Sequence, residues 1–446
     1  MAILDQFGRP YEKEIVRERG GRAYAFKEPD QWQASVATGI DPTRLAEILR
    51  KNDRGENQDM LTLAMEMPER DLHYFGQLQT RANAIAFVPI ELEVAKKHKK
   101  SAKARKIAEE ATEVFIDNPL FRGLLQDLMD AINVGYQVIQ PVWDTTTRPW
   151  TFKSFEWIDP RVFQFDVKHH KELRIRDENH ENGRPIPPGL YLVHFPRVRA
   201  GVRLRASIAR LAAVNWFFKT SSVKDWLAFA EVYGMPIRIG KYGPSATEDE
   251  IATLSHALIN LGHDASAMIP DGMKIEVVDA RRPTSGDNVF SGITKYFDEQ
   301  TSRAVLGQVL ASDARATGLG TAIADLHRDV RQDIREADSI AVRGTIDYLL
   351  KQWTELNYGV GAPVPKLRID IDPPEDVQKF TQGVLPWFVQ GGLKFQKRWL
   401  YRKLQAPLDE GDDGEEMIAA PLAPGTPGAG APLPGQKSTK KTGAQK

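Results

Sequence analysis

RASIARLAAVNWFFKTSSVKDWLAFAEVY (residues 205–233) is an uninterrupted stretch that contains neither proline nor glycine. It predicts one long helix, because no residue in it breaks helical backbone geometry. Apolar side chains lie on several faces of this helix, as at Trp216, Phe218, Trp226, Phe229 and Tyr233. Such a helix must be buried on most sides. A single chain would need a thick cover for it, whereas in a ring the neighbouring subunits can provide that cover.

The residues after this helix predict a small insertion between long helices. Gly234-Met-Pro236 ends the first helix, because glycine and proline are typical helix stops. The predicted elements are a strand at Pro236–Tyr242, a helix at Ala246–Leu261, short strands at Ala267–Ile269 and Lys274–Val278, a second long helix at Val289–Ala311, a glycine-containing loop at Ser312–Gly320 and a third long helix at Thr321–Glu355.

The preceding half of the chain predicts helices beside an antiparallel sheet. Asp41 can cap a helix that begins at Pro42, residues 57–86 form a second helical region, and Asn118-Pro119 opens a helix that ends at Gly135. Turn residues then separate the predicted strands Tyr136–Trp143, Trp150–Trp157, Val162–Asp166, Leu173–Arg176 and Leu190–Phe195. The fold class that follows is α+β and helix-rich, with an antiparallel meander.

Both ends of the chain differ from the middle. Residues 1–40 are polar and irregular, which predicts an arm that needs a partner surface to become ordered. The segment Asp409–Glu416 contains six acids, and Pro, Gly, Ala and then Lys dominate the residues after it, so we expect disorder over residues 406–446. The first ten residues include Asp5 and have no sustained apolar core, so we expect no signal peptide.

The composition limits the classes of function. A chain of 446 residues is longer than one compact core usually serves, so we expect several domains. Lys+Arg and Asp+Glu are both 60, whereas a protein that coats nucleic acid is usually basic. The absence of cysteine excludes disulfides, Cys-ligated zinc, iron–sulfur clusters and thiol catalysis. No stretch reaches 18 apolar residues, so we expect no transmembrane helix.

No motif for catalysis or for a cofactor is complete. Gly318-Leu-Gly-Thr321 lacks the lysine and the preceding strand of a phosphate-binding loop. His169-His170 and Asp177–His180 could supply metal ligands, but they lack a strong zinc spacing and favour a solvated turn. We therefore expect no cofactor, no metal ion and no enzymatic activity.

One acidic cluster allows a different interpretation of the function. Asp370, Asp372, Glu375 and Asp376 resemble the carboxylates of a magnesium-dependent nuclease, whose two metals need converging ligands. These acids instead alternate along a strand and run into Pro373-Pro374, which favours an exposed strand end.

Two basic features could contact DNA. His73 and Arg81 lie eight residues apart on one predicted helix, where packing at the helix face is the favoured interpretation. The run KKHKKSAKARK (residues 96–106) could attract phosphates by charge. It has no interleaved aromatic side chain for base stacking, and most such runs are solvated helix faces.

Several stretches, taken in order, resemble the Mu-like phage portal protein family. They are Leu4–Pro10, Gly39–Leu49 with Asn52–Gly55 after it, Met67–Arg81, Asn133–Tyr136 through Val142-Trp143, Glu231–Arg238, and Ala304–Thr321 with the helix that follows. Each stretch alone is weakly specific, but their order and spacing together are fairly specific. The resemblance covers most of residues 1–400.

The resemblance implies a portal-like fold with wing, stem, clip and crown regions and with the antiparallel sheet in the wing. It implies a ring, usually of twelve subunits, at one capsid vertex. By order along the chain, the expected regions are an N-terminal arm (1–50), the wing (51–204), a first stem helix (205–234), the clip insertion (235–286), a second stem helix (287–311), a channel loop, long helix and crown or wing remainder (312–405), and a disordered tail (406–446).

The resemblance also implies partners and sites. Double-stranded DNA would pass through the channel, and the terminase large subunit and then a head-completion or neck protein would dock, with major capsid and scaffold proteins as further partners and no membrane. The subunit would be part of the virion after assembly in the host cytoplasm. Trp216, Phe218, Trp226, Phe229 and Tyr233 would pack the stem between subunits. Lys219, Lys224 and Arg315 would face the channel.

Two alternatives differ in class from a portal. The first is a metal-dependent nuclease that processes DNA through the Asp370–Asp376 cluster. The second is a minor capsid or adaptor protein without a channel.

Overall fold

The computed structural model describes residues 2–21, 35–234, 237–260, 274–278, 284–309, 320–371, 380–384, 394–404 and 416–419. The chain divides into two compact units, Met1–Ile371 and Asp372–Lys446. The larger unit contains the long helices and most of the strands.

The N-terminal residues pack on their own chain. Strands β1 (Ile3–Leu4) and β2 (Pro10–Tyr11) pair antiparallel, and helix α1 (Lys13–Arg19) follows. Val16 is buried, and the amide of Trp143 donates to the carbonyl of Gly20. The expectation of an arm ordered only by a partner surface is therefore wrong for the described residues 2–21. Isolated apolar residues such as Ile3, Tyr11 and Val16 gave too weak a pattern for the sequence to show this packing.

A set of helices forms the next layer. It consists of α2 (Pro42–Asp53), α3 (Gln58–Arg70), α4 (Leu72–Ala86), strand β3 (Ile90–Glu93), α5 (Ala102–Ala111), which a single π-helical turn extends over Thr112–Ile116, and α6 (Leu120–Val134). The predicted start of α2 is confirmed, since the Asp41 carboxylate accepts the amide of Arg44. The predicted end of α6 is also confirmed, since Gly135 has φ = 108°, a backbone conformation that favours glycine.

The strands form two separate sheets. Strands β4 (Gln137–Asp144), β5 (Thr151–Ile158), β6 (Phe163–Phe165), β7 (Leu173–Asp177), β8 (His180–Pro185) and β9 (Leu192–His194) pair antiparallel in the orders β5-β4-β9 and β6-β7-β8. The single predicted meander is therefore wrong in topology. Strand β8 includes Asn182-Gly183-Arg184-Pro185, whose residue types are typical of a turn, and Gly183 has a positive φ inside the strand.

The long helices and the insertion follow their predicted order. They are α7 (Ile208–Gly234), β10 (Ile237–Lys241), α8 (Glu248–Asn260), β11 (Lys274–Val278), α9 (Thr284–Leu306) and α10 (Gly320–Tyr358). Strands β10 and β11 form an antiparallel ribbon. Helix α9 begins five residues before the predicted Val289. The predicted strand Ala267–Ile269 and most of the predicted loop Ser312–Gly320 lie outside the described residues.

The core of the larger unit lies between α10 and the earlier helices. Helix α10 contributes Val342, Ile346, Leu349, Leu350 and Trp353, which are all fully buried. Strand β12 (Lys366–Ile369) returns to pair with β3. In the smaller unit, β13 (Lys394–Gln396) pairs with β14 (Met417–Ala419), and helix α11 (Lys397–Lys403) places Trp399 against Phe380.

A buried histidine joins the sheet to α10. His194 at the end of β9 is 2% exposed, and its Nδ1 lies 2.8 Å from Thr345 Oγ1. Burial disfavours the charged imidazolium and lowers the pKa of His194 from 6.5 to about 4. The folded protein therefore holds this side chain neutral over a range in which the unfolded chain takes up a proton.

We expect acid to destabilise the fold through His194. As the pH falls from 6.5 to 4, the unfolded state binds the proton first, so the free energy of unfolding falls by up to about 3 kcal/mol. Urea titrations at pH 7 and pH 5 measure the part of this loss that falls above pH 5, about 2 kcal/mol, and His194→Gln should reduce it. His169→Gln, at an exposed turn, is the matched control. Equal pH dependence in wild type and His194→Gln would refute the assignment.

Candidate subunit-packing site and its junction with the body

Helices α7 and α9 form an antiparallel pair. Asn215 Nδ2 donates to the carbonyl of Phe297 and to Thr301 Oγ1, both at 2.9 Å. Further along, the rings of Phe218 and Phe297 stack at 6.4 Å, and those of Phe229 and Phe290 meet at 5.5 Å. Positions rise along α7 as they fall along α9, so the two helices run in opposite directions.

The five predicted packing residues have different surroundings. Trp216 is 2% exposed and belongs to the core of its own chain, whereas Phe218 is 49% exposed. Trp226 and Phe229 are half-buried. Trp226 lines a cavity of about 330 Å³ together with residues of α4 and α9. The side chain of Tyr233 lies outside the described part of the structure. Their predicted role between subunits stays a prediction.

Apolar side chains remain exposed along the helix pair. We call this set the exposed helix-pair surface: Leu211, Val214, Phe218 and Leu227 on α7, and Val289, Ile293 and Tyr296 on α9. Large apolar areas that remain open to solvent in a single subunit mark interaction surfaces. The sequence indicated that the helix needs cover on several sides, and the chain itself leaves these residues uncovered.

Lys219 connects the helix pair to the body. Its Nζ lies 2.6 Å from Asp71 Oδ1 and 2.6 Å from Asp298 Oδ1. Asp71 immediately precedes α4 and also accepts the amides of His73 and Tyr74, which suits a carboxylate at a helix N-terminus. One ammonium group therefore holds α4, α7 and α9 together. The side chains of Lys219 and Asp71 are largely buried, so water screens this contact little.

His73 and Arg81 reinforce the same junction. His73 Nε2 lies 3.0 Å from the carbonyl oxygen of Asp298 and 2.8 Å from Ser302 Oγ. Arg81 forms a two-point contact with Asp338 of α10, at 2.7 and 2.9 Å, and also donates to the carbonyl of Val305. Packing at the helix face, favoured over DNA contact by the sequence, is confirmed as the role of both residues within the chain.

The three predicted channel residues have unlike positions. The Lys219 ammonium already has two carboxylate partners within the subunit. Lys224 is exposed, and Arg315 lies outside the described residues. Orientation toward a channel stays a prediction for all three.

The candidate metal ligands do not converge in the described part of the chain. Among those residues, no group of three or more His, Asp or Glu side chains could hold a metal ion. His180 contacts Asp177 on the exposed β7–β8 turn. Asp370 follows β12, but Asp372, Glu375 and Asp376 lie outside the described residues, as do Gly318 and Leu319.

The basic run 96–106 forms a short 3-10 turn followed by α5. Its lysines are largely exposed, and Lys106 Nζ lies 3.7 Å from Glu110 Oε1. Ala104 and Ile107 bury the opposite face of α5, which fits the solvated helix face that the sequence favoured.

Comparison with known proteins identifies the family. The family model described as the portal protein of Mu bacteriophage matches residues 61–406, which is more than half of the chain. The chain belongs to this portal protein family. The helix-rich α+β fold with its small antiparallel sheets agrees with membership of this family. Among the described residues, no helix is both long and apolar enough to cross a membrane.

Two relatives match this portal family member over nearly its whole length. The Mu-like prophage FluMu protein gp29 of Haemophilus influenzae is 28% identical over 94% of this chain and 80% of its own length. The portal protein of Escherichia phage Mu is 28% identical over 95% of this chain and 81% of its own length. A chain from the virion of a gene transfer agent particle covers 77% of this chain and 93% of its own, with 11% identity and a TM-score of 0.47.

We expect Lys219→Met to weaken the junction. The substitution leaves Asp71 and Asp298 close together without a counter-charge, and loss of one partner of a buried ion pair costs about 3 kcal/mol or more. Urea unfolding at pH 7 measures the free energy of unfolding. Lys224→Met removes the same charge from an exposed position of α7 and should change it by less than about 0.5 kcal/mol. A small, equal effect of both substitutions would show that the Lys219 contacts are unimportant.

Proposed function

We propose that this chain is the subunit of a portal ring, usually of twelve copies, at one vertex of a phage capsid. Its membership of the portal protein family carries this proposal. In this role the ring is a conduit for double-stranded DNA during packaging and ejection. The subunit is then a structural part of the virion and assembles in the host cytoplasm.

In the proposed ring, α7 and α9 form the stem. The exposed helix-pair surface supports this role, because a ring places the same helices of adjacent copies side by side and covers apolar residues that one chain leaves open. Leu227 is 64% exposed although it lies on a long apolar helix. Burial of such side chains between subunits contributes about 25 cal/mol per Å² of apolar surface.

The insertion 235–286 has the place of the clip. Helix α8 packs closely on strand β10, since a Cβ at Gly240 would lie 2.8 Å from Leu258 Cδ1. Leu254 and Ala257 of α8 are buried, Leu254 close to Gly240 of the ribbon, while Tyr242 and Ile259 stay exposed. These exposed residues support a docking face for the terminase large subunit and later for a neck protein. Residues 51–204 would be the wing, with contacts to major capsid and scaffold proteins.

The charge of the chain suits transport of DNA. A strongly basic channel would release counterions and hold DNA tightly. The formal net charge of zero avoids a general attraction, so DNA can slide. Lys224 and Arg315 are the two predicted channel-facing cations that we do not place at the junction.

Leu227→Asp should block ring assembly without unfolding the subunit. Leu227 is exposed in the single chain, so a carboxylate there costs little, but it would be costly to bury between subunits. Mass photometry measures particle mass, and negative-stain images show rings. Val167→Asp is the matched control, because Val167 is an exposed apolar residue on the β6–β7 turn.

Wild type and Val167→Asp should form closed rings with a central hole, and Leu227→Asp should yield folded smaller species with unchanged circular dichroism. Normal rings from Leu227→Asp would refute the stem assignment. Monomeric wild-type protein with magnesium-dependent nuclease activity would refute the portal proposal itself.

A further inference from the structure

Two segments far apart in the sequence meet at the start of α7. Asn52 Nδ2, in the last turn of α2, donates to the carbonyl of Leu204 at 3.0 Å. Asp53 next to it accepts Arg205 Nε at 2.9 Å and pairs with Arg210 Nη2 at 2.7 Å. These contacts hold the loop before α7 against the end of α2.

Both segments that meet here carry exposed arginine side chains. Arg50 and Arg54 are exposed at the end of α2, and Arg197 and Arg199 are exposed in the loop. Val198 between the last two is half-buried against the core, whereas both arginines are exposed. We call the following set the arginine surface: Arg50, Arg54, Arg197, Arg199, Arg203 and Arg205.

Most of these charges have no ion-pair partner among the residues that the structure describes. On another side of α2, Lys51 pairs with both Glu47 and Asp59. In the described part of the chain, by contrast, Arg50, Arg54, Arg197 and Arg199 have no carboxylate within ion-pair distance. Asp53 is shared by Arg205 and Arg210, so it cannot offset the remaining charge. Like charges in one region repel each other, and an anion across several of them relieves that repulsion.

The residue type and shape favour a polyphosphate backbone as the anion. Arginine presents a planar fork of donors that fits phosphate oxygens, and the Arg203 guanidinium is held 3.8 Å above the ring of Phe195. The charges are spread over two chain segments, and neither of the two described cavities is lined by any of them. A spread surface suits a long, regularly charged ligand better than a small phosphorylated one.

We propose that the arginine surface binds the phosphate backbone of double-stranded DNA without reading its sequence. This DNA contact would lie at the start of α7. It is separate from the passage of DNA through the stem, so it adds a binding site to the proposed conduit. It gives a subunit of zero formal net charge a local surface that attracts DNA through its phosphates, without contacts to base edges.

DNA binding by the assembled full-length protein tests this proposal. We would measure fluorescence anisotropy of a labelled duplex of about 30 base pairs from 50 to 200 mM salt, with a variant that combines Arg50→Gln, Arg54→Gln, Arg197→Gln and Arg199→Gln. Each phosphate contact contributes about 0.9 to the slope of log K against log salt, so the slope should fall by about 3 to 4. The affinity at low salt should fall on the order of 100-fold.

The control removes the same number of charges from the longer basic run. It combines Lys97→Gln, Lys99→Gln, Lys100→Gln and Lys103→Gln, all on exposed residues, and should retain most of the affinity. Equal loss in both variants, or no loss in the arginine variant, would overturn the proposal. So would an equal loss of binding to polyglutamate, which would indicate an acidic protein segment as the ligand.

Particle mass separates this proposal from the ring. The arginine variant should form particles of wild-type mass that bind DNA weakly. Smaller particles with unchanged DNA affinity would assign these arginines to subunit contacts and overturn DNA binding at this surface. Wild-type protein that fails to form rings but shows the arginine-dependent affinity would refute the conduit and leave the DNA-binding surface supported.

Discussion

The position of the long helix pair depends on the buried contact of Lys219 with Asp71 and Asp298. Lys219 lies on α7, Asp71 caps α4 and Asp298 lies on α9. One ammonium group therefore connects both long helices to the body. The Arg81–Asp338 pair extends this connection to α10. A buried charge without its partner is costly, so these contacts allow few alternative positions for the helices. Ion pairs are directional, so they define the orientation of the helices, which apolar packing alone does not specify.

Fixed helices can present an apolar surface to another subunit in a defined orientation. The inner side of the pair is closed by aromatic contacts, such as Phe229 on Phe290, while Leu227 and Tyr296 stay open. The same chain keeps a formal net charge of zero and exposes several arginines at the end of α2 and in the loop before α7. In the proposed ring, such subunits would combine apolar contacts between copies, a weak general attraction for DNA and a local basic surface.

The sequence predicted the elements whose signals are local. Helix α6 ends at Gly135 and α2 begins after Asp41 because capping and glycine geometry involve only nearby residues. Strand β8 was missed because Gly183 resembles a turn residue, and the two sheets were merged because strand pairing depends on distant residues. The junction was also beyond local signals, since Lys219 and Asp71 are 148 positions apart. Likewise, Asp53 and Arg205 are 152 positions apart, and only the fold brings their side chains within 2.9 Å.

A cryo-EM reconstruction of the assembled full-length protein would show what covers the exposed helix-pair surface. We expect a closed ring in which α7 and α9 of adjacent subunits lie side by side, Leu227 is buried between copies, and Lys219 keeps both carboxylate partners. A ring that leaves Leu227 in solvent, or a particle without a central channel, would contradict this expectation.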